Sequence, residues 1–228
     1  MSKSIQGFVD SSKRNLGMVG IIGISMIVLI LLMVIWWIYS KLTLDKANCK
    51  QMNNLYKDFP LMHTINISNE QFSHKLRDYY IKTAYNCCSS GNFKNDFVNI
   101  CALKNCIKQG VRCLDFEIYS IDNKPVISVS SQNVFDVKEA YNSVSFSNAM
   151  SIISDYAFSG STCPNPGDPL LIHLRIMSSN KPIYDEMAKV LYNTLSRRLL
   201  GKKFSYENNG KNIGMTPLKD LMGKIVIM

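Results

Sequence analysis

The stretch that decides the fold is GVRCLDFEIY, residues 110–119. Read as a strand over 112–119, it turns Asp115 and Glu117 to one face, because strand side chains repeat every two residues. Short apolar runs recur on either side of it: YYIKTA (79–84), PVISV (125–129), PLLIHLRI (169–176) and KIVIM (224–228). Helical patterns lie near 96–108, 146–158 and 183–200. Strands alternating with helices in this way predict an α/β fold with a parallel sheet. No internal repeat or low-complexity tract interrupts the pattern.

Composition sets the outer bounds. The chain has 228 residues, of which 46% are hydrophobic and only 19% charged, with 12 Gly and 7 Pro. That supports a real core and argues against a collagen-like, low-complexity or wholly disordered chain. Lys and Arg number 26 against 17 Asp and Glu, a net charge of +9. Basic excess attracts polyanions without saying which. No interleaved basic and aromatic platform is present, so no nucleic-acid partner is expected.

Upstream, residues 18–39 read MVGIIGISMIVLILLMVIWWIY, 22 residues from Met18 to Tyr39 without a charge. At 1.5 Å per residue this is long enough to cross a hydrocarbon core of about 30 Å, and it predicts a single transmembrane helix. Trp36, Trp37 and Tyr39 fall at its end, where amphipathic rings favour the headgroup layer. A cleaved signal peptide would have an apolar region of about 7–15 residues ending in small side chains, and WWIYSKL offers no such site. Lys3, Lys13 and Arg14 before the span balance Lys41, Lys46 and Lys50 after it, so charge leaves both orientations open. The chain divides into a tail (1–17), the span (18–39), a polar connector (40–75) and an α/β domain (76–228). The connector is broken at Pro60 and supports at most a short helix near 69–77.

Seven cysteines show no CxxC or Cys/His spacing for zinc, and no structural metal is expected. Cys101, Cys106 and Cys113 lie in apolar patterns and read as small core residues, with one or two disulfides as the alternative on an oxidising side. Asn66-Ile67-Ser68 is a glycosylation triplet that matters only for a lumenal domain. Residues 181–228 hold nine Lys and Arg against four Asp and Glu. Among them Arg197, Arg198, Lys202 and Lys203 read either as a helix C-terminus complementing its dipole or as a contact for anionic lipid.

Five collinear pieces, YYIKTAYN, GVRCLDFEIY, KPVIS, ISDYAFSGS with PLLIHLRIMSS, and TPLKDLMGKIVI, resemble the X region of phosphoinositide-specific phospholipase C from about Leu76 to Met228. The resemblance implies half of a TIM-type barrel, with the site on its C-terminal rim. It also implies hydrolysis of a phosphodiester by two histidines and a calcium ion. The first histidine position falls on Tyr85, before a retained Asn86, and the second on Val129 or its neighbour Ser130. A phenol ordinarily titrates near 10 and valine not at all, and each missing acid or base costs about 10²–10⁴ in rate. The family's calcium ligands correspond to Asn86, Asp115, Glu117 and Arg175, so a guanidinium stands where a carboxylate is expected. Arg175 is therefore expected to pair with Asp115 or Glu117 in place of the metal. His63 and His74 precede the domain, and His173 reads as a satisfied structural histidine, with a relocated acid or base as the alternative if it points to the rim.

These readings combine into a single-pass, membrane-anchored, non-hydrolytic phospholipase C-like protein with a shortened barrel-like parallel sheet. No cofactor is expected, and calcium enters only if the domain is an enzyme. An open half-barrel calls for a protein partner or self-association to cover its sheet, besides the lipid bilayer itself. The expected role is structural or adaptor-like, linking a membrane to a protein layer. The compact, Asn-, Lys- and Ile-rich chain suggests a large DNA virus, with a virion inner membrane or minor capsid setting. The alternatives are a tethered phosphoinositide phosphodiesterase and a phosphoinositide-binding module.

Overall fold

The computed structural model describes residues 2–66, 68, 73–205 and 212–228, with side chains from Gly20 onward. Two compact units divide it, Met1–Leu44 and Asp45–Met228.

The first unit is helical throughout its described residues and belongs to α1 (Ser2–Leu55). A segment of this helix, Gly20–Leu55, is long and apolar enough to cross a membrane, with a mean hydropathy of 2.9 in its most apolar window. Its apolar side chains are exposed, including Trp36, Trp37 and Tyr39. Met18 lies in the helix, but its side chain is outside the described ones. The helix does not end with the apolar run. Residues 40–55 contain no Pro or Gly, so nothing breaks the hydrogen-bond ladder until the turn at 56–58 ahead of Pro60. The first part of the expected connector is thus helical. The short helix expected near 69–77 falls partly outside the described residues, and what is described there is a 3₁₀ turn at Leu76–Asp78.

In the second unit, the last turns of α1 pack on α2 (Ile100–Lys108). Asn48 Nδ2 donates to Asp96 Oδ1 at 2.8 Å, Asn99 Nδ2 to both Asp45 oxygens at 2.8 and 2.9 Å, and Gln109 Nε2 to the Tyr56 carbonyl at 2.8 Å. A disulfide joins Cys49 to Cys101, with Cα atoms 6.0 Å apart. Cys101 is therefore not the free core cysteine its apolar setting suggested. It sits on the helix face that meets α1, which the sequence pattern of α2 alone does not reveal. Asn99 also caps α2 by accepting the Cys101 N–H, and Gly110, at φ +74°, follows its end.

The sheet has six strands: β1 (Thr83–Ala84), β2 (Cys113–Ile121), β3 (Lys124–Ser128), β4 (Val144–Ser145), β5 (Leu170–Ile176) and β6 (Ile225–Ile227). Their order is β4-β3-β2-β5-β6, with β1 beside the start of β2. β1, β2, β5 and β6 run parallel, whereas β3 and β4 run antiparallel to their neighbours. The all-parallel sheet expected from sequence is therefore corrected to a mixed one. Only Asp122 and Asn123 separate β2 from β3, both at positive φ. A two-residue turn of this kind makes a hairpin and is far too short for a crossover.

β2 is the central strand, and its alternation sorts the molecule. Leu114, Phe116 and Ile118 enter the main core with Ile127, Leu170 and Ile172, beneath α2, α3 (Phe146–Tyr156) and α4 (Pro182–Leu195). On the opposite face Cys113, Leu171 and Val226 form a smaller apolar cluster with Leu76, Leu218 and Leu221, the last two from α5 (Leu218–Leu221). Further along the strands that same face becomes charged.

Candidate functional site

Two residues of β2 and two of β5 make the charged patch. The parallel register sets Asp115 opposite His173 and Glu117 opposite Arg175, so all four side chains leave one face on two successive rungs. Asn86 joins them from the turn after β1. It adopts the left-handed backbone, φ +50°, which an asparagine tolerates, and its N–H donates to Asp115 Oδ1 at 3.1 Å.

Arg175 lies at the centre. Its Nε donates to Asp115 Oδ2 at 2.9 Å and its Nη2 to Asp115 Oδ1 at 2.7 Å, a bidentate fork. Nη1 reaches Glu117 Oε1 at 2.8 Å, and Nη2 also reaches Asn86 Oδ1 at 2.8 Å. The remaining capacity of Glu117 is taken by Asn86 Nδ2 on Oε1 at 3.2 Å, and by the Tyr119 hydroxyl and the Ser130 N–H on Oε2 at 2.8 and 3.0 Å. The carboxylates are nearly buried, 6% exposed for Asp115 and 4% for Glu117. Burial raises the Asp115 pKa, but hydrogen bonds from Arg175, the Asn86 N–H and His173 outweigh it and hold this carboxyl below its ordinary range. For Arg175 burial acts the other way, yet its bonds to Asp115 and its attraction to Glu117 keep it firmly protonated.

Asp115 thus stabilises the fold above about pH 4, the ordinary carboxylate value, and loses that contribution as pH falls through its lower folded pKa. The full chain should weaken progressively in acid below about pH 4, and Asp115→Asn should flatten that limb of an unfolding-versus-pH curve.

His173 also belongs to this site, and the partner that satisfies it is Asp115. Its Nδ1 lies 2.7 Å from Asp115 Oδ2 and its side chain is 45% exposed. The signal was available: 173 and 175 share a face for the same reason that 115 and 117 do. Tyr85 is exposed, and its ring stacks 4.4 Å from the Arg175 guanidinium carbon and 5.8 Å from the Phe93 ring. Val129 is buried in the main core, and its neighbour Ser130 serves Glu117 through its backbone. His63 and His74 lie elsewhere, the latter edge-on to Tyr79.

Calcium is the metal that the resemblance implies, and the donor set does not fit it. Both oxygens of Asp115, both of Glu117 and the amide oxygen of Asn86 already accept hydrogen bonds, four of them from Arg175. A guanidinium about 4 Å from a divalent ion adds repulsion on the order of 8 kcal/mol at an effective dielectric near 20. A hard cation wants six or more oxygens and would have to expel Arg175 to get them.

Two loops frame this end of the sheet. The loop after β3 is tied back by Glu139, which accepts the Ser131 N–H at 2.8 Å and pairs with Lys94 at 3.0 Å. The loop after β5 is tied to it by Asp136, which accepts from the Ser178 hydroxyl at 2.9 Å and the Ser179 hydroxyl at 2.5 Å.

The family model for the phosphatidylinositol-specific phospholipase C X domain matches residues 72–228. The chain belongs to that family. Among solved structures, this X-domain chain is similar to PLC21 of L. pealei and PLC21 of S. officinalis, each with TM-score 0.56 and 19% identity over 68% of the chain. It spans only 19% and 18% of those two proteins, and at this identity the likeness speaks for the fold. No curated protein matches.

The basic cluster needs one correction. The expected helix over 183–200 ends at Leu195, so Arg197 and Arg198 lie in the turn beyond α4, and no basic residue occupies its last turn. They directly follow the C-cap, Ser196, so they adjoin the helix end from outside it. Arg198 stacks 4.2 Å from the Phe158 ring and donates to the Gly223 carbonyl at 3.3 Å. Lys203 lies over Phe204, and all four cluster residues, Lys202 included, are exposed.

Proposed function

We propose that this chain is a membrane-tethered X-domain protein that does not hydrolyse phosphodiesters and acts as a structural or adaptor element between a membrane and a protein layer. The observation that carries the reading is the Arg175 network: one side chain engages the acidic pair and Asn86, offsets one of the two carboxylate charges and interlocks the rim. Tyr85 and Val129 add to it. A phosphodiester cleavage needs a base for the attacking hydroxyl and an acid for the leaving oxygen. A buried valine supplies neither, and the Tyr85 ring lies against the guanidinium. α1 supplies the tether, and a virion membrane is the setting that this reading favours. The partner is a protein that covers the open sheet.

One observation favours a second reading. The Asp115–His173 contact, with the imidazole half exposed, resembles an oriented general base. The test is turnover of labelled phosphatidylinositol vesicles by the detergent-solubilised full chain, with and without calcium, beside a Tyr85→His, Val129→His, Arg175→Glu variant. The natural chain is expected to release no headgroup in either condition. Turnover above the buffer rate would overturn the proposal, and its loss in His173→Ala would assign it to the Asp115–His173 pair.

A further inference from the structure

The flanking charges leave open which face of the membrane carries the domain, and the fold supplies what they lack. We propose that the unit Asp45–Met228 lies on the oxidising, lumenal or exoplasmic side, and that Asn66 is a glycan acceptor there. The assignment of a side rests on reading α1 as a membrane span.

Disulfides persist in oxidising compartments and are rare where thiols are kept reduced. The bridge from Cys49 to Cys101 spans 52 residues and joins two half-buried positions that solvent redox couples can reach. Of the cysteines left free, Cys87, Cys88 and Cys163 are buried and Cys106 and Cys113 half-buried; burial pushes the Cys88 thiol well up from its ordinary value, whereas a hydrogen bond with Cys87 lowers that of Cys106. A protonated, buried thiol is a poor participant in exchange, so this fold shields Cys87 and Cys88.

Asn66 supplies an independent observation. Asn66 and Ser68 are both exposed, and the Ser68 N–H donates to Asn66 Oδ1 at 3.0 Å. Just before them the chain is pinned: the Ile65 N–H donates to Asp168 Oδ1 at 3.0 Å, and Thr64 Oγ1 accepts the Gly167 N–H at 3.4 Å. The acceptor thus projects into solvent from a fixed point, where a bulky glycan displaces no core side chain. In the transfer, Asn66 Nδ2 bonds to the anomeric carbon of a polyprenyl-pyrophosphate-linked oligosaccharide. The sugar–phosphate bond breaks with its electron pair leaving on the pyrophosphate, and the transferase takes the amide proton. The acceptor triplet has the required form, with a hydroxyl residue two positions on.

This placement deepens the proposed function. Phosphatidylinositol and phosphatidylserine charge the cytoplasmic leaflet, so a domain on the other side faces little of the lipid that its relatives are named for. It also removes the anionic surface that Arg197, Arg198, Lys202 and Lys203 would otherwise meet.

The test is synthesis of the full chain in the presence of sealed microsomes, read by protease protection and by gel mobility before and after endoglycosidase. The expected result is a protected domain and a mobility shift that endoglycosidase, Asn66→Gln and Ser68→Ala each abolish. A domain digested in sealed vesicles overturns the assigned side. A protected domain without the shift overturns Asn66 as the acceptor. Alkaline carbonate extraction reads the anchor separately: a glycosylated chain released by alkali refutes the span but keeps the side. Hydrolysis of phosphatidylinositol, which decides the proposed function, enters none of these readouts.

Discussion

Arg175→Ala should destabilise the domain by about 3–5 kcal/mol, the cost typical of breaking a buried ion pair by removing one partner. The reason lies in what remains. Asp115 and Glu117 share one face two residues apart and are nearly buried. Without the guanidinium two like charges face each other, short of four hydrogen bonds. Arg175→Lys should recover only part of the loss, because an ammonium cannot make the planar fork to Asp115 while also reaching Glu117 and Asn86. Replacing all three together, with Arg175→Met, Asp115→Leu and Glu117→Met, should lie between the natural chain and Arg175→Ala. It removes the uncompensated charge but strands the Ser130 N–H and the Tyr119 hydroxyl, whose acceptor is Glu117. Thermal unfolding of the full chain in detergent measures all four proteins. At roughly 2–4 °C per kcal/mol, Arg175→Ala should fall by about 10 °C. A shift under about 2 °C would mean that water reaches the carboxylates and that the network is not what holds β2 to β5.

What could be read beforehand follows from which interactions are periodic. Alternation in CLDFEIY and LLIHLRI placed β2 and β5 and gave each strand its faces, because a strand repeats every two residues whatever surrounds it, whereas the meeting of Arg175 with Asp115 and Glu117 was implied by the family resemblance. The same period puts His173 on the face of Arg175, and the strand pairing then makes Asp115 the partner that satisfies it. Strand direction is a property of the connection rather than of the strand. The Asp122-Asn123 turn therefore held the information that β3 is antiparallel, outside the apolar runs that suggested a parallel sheet. β4, two residues long, has too little pattern to read. The disulfide was out of reach for a different reason. Pairing Cys49 with Cys101 requires α1 to stay helical beyond its apolar run and to lie along α2, and neither condition is written in the spacing of the cysteines. Residues 40–55 are polar, and their helicity is fixed by Asn48, Asp45 and Tyr56 meeting partners on and around α2.

That packing makes the disulfide the second large term. Closing a loop of 52 residues restricts the unfolded chain by about 4 kcal/mol on chain-entropy grounds. The measured effect should be smaller, about 2–4 kcal/mol, because α1 remains helical in a micelle after the domain unfolds, and an unfolded state that keeps structure has less entropy to lose. Cys49→Ala with Cys101→Ala should therefore lower the unfolding midpoint by roughly 4–16 °C. Reduction of the natural chain should reproduce the shift. Asp45→Ala with Asn48→Ala removes hydrogen bonds across the same contact, at about 0.5–1.5 kcal/mol for each bond, and should cost less than the bridge. The order of the two effects separates their origins. If the alanine pair at 49 and 101 proves milder than the pair at 45 and 48, the last turns of α1 are held to α2 by their polar contacts, and the covalent link closes a loop that the unfolded chain already keeps closed.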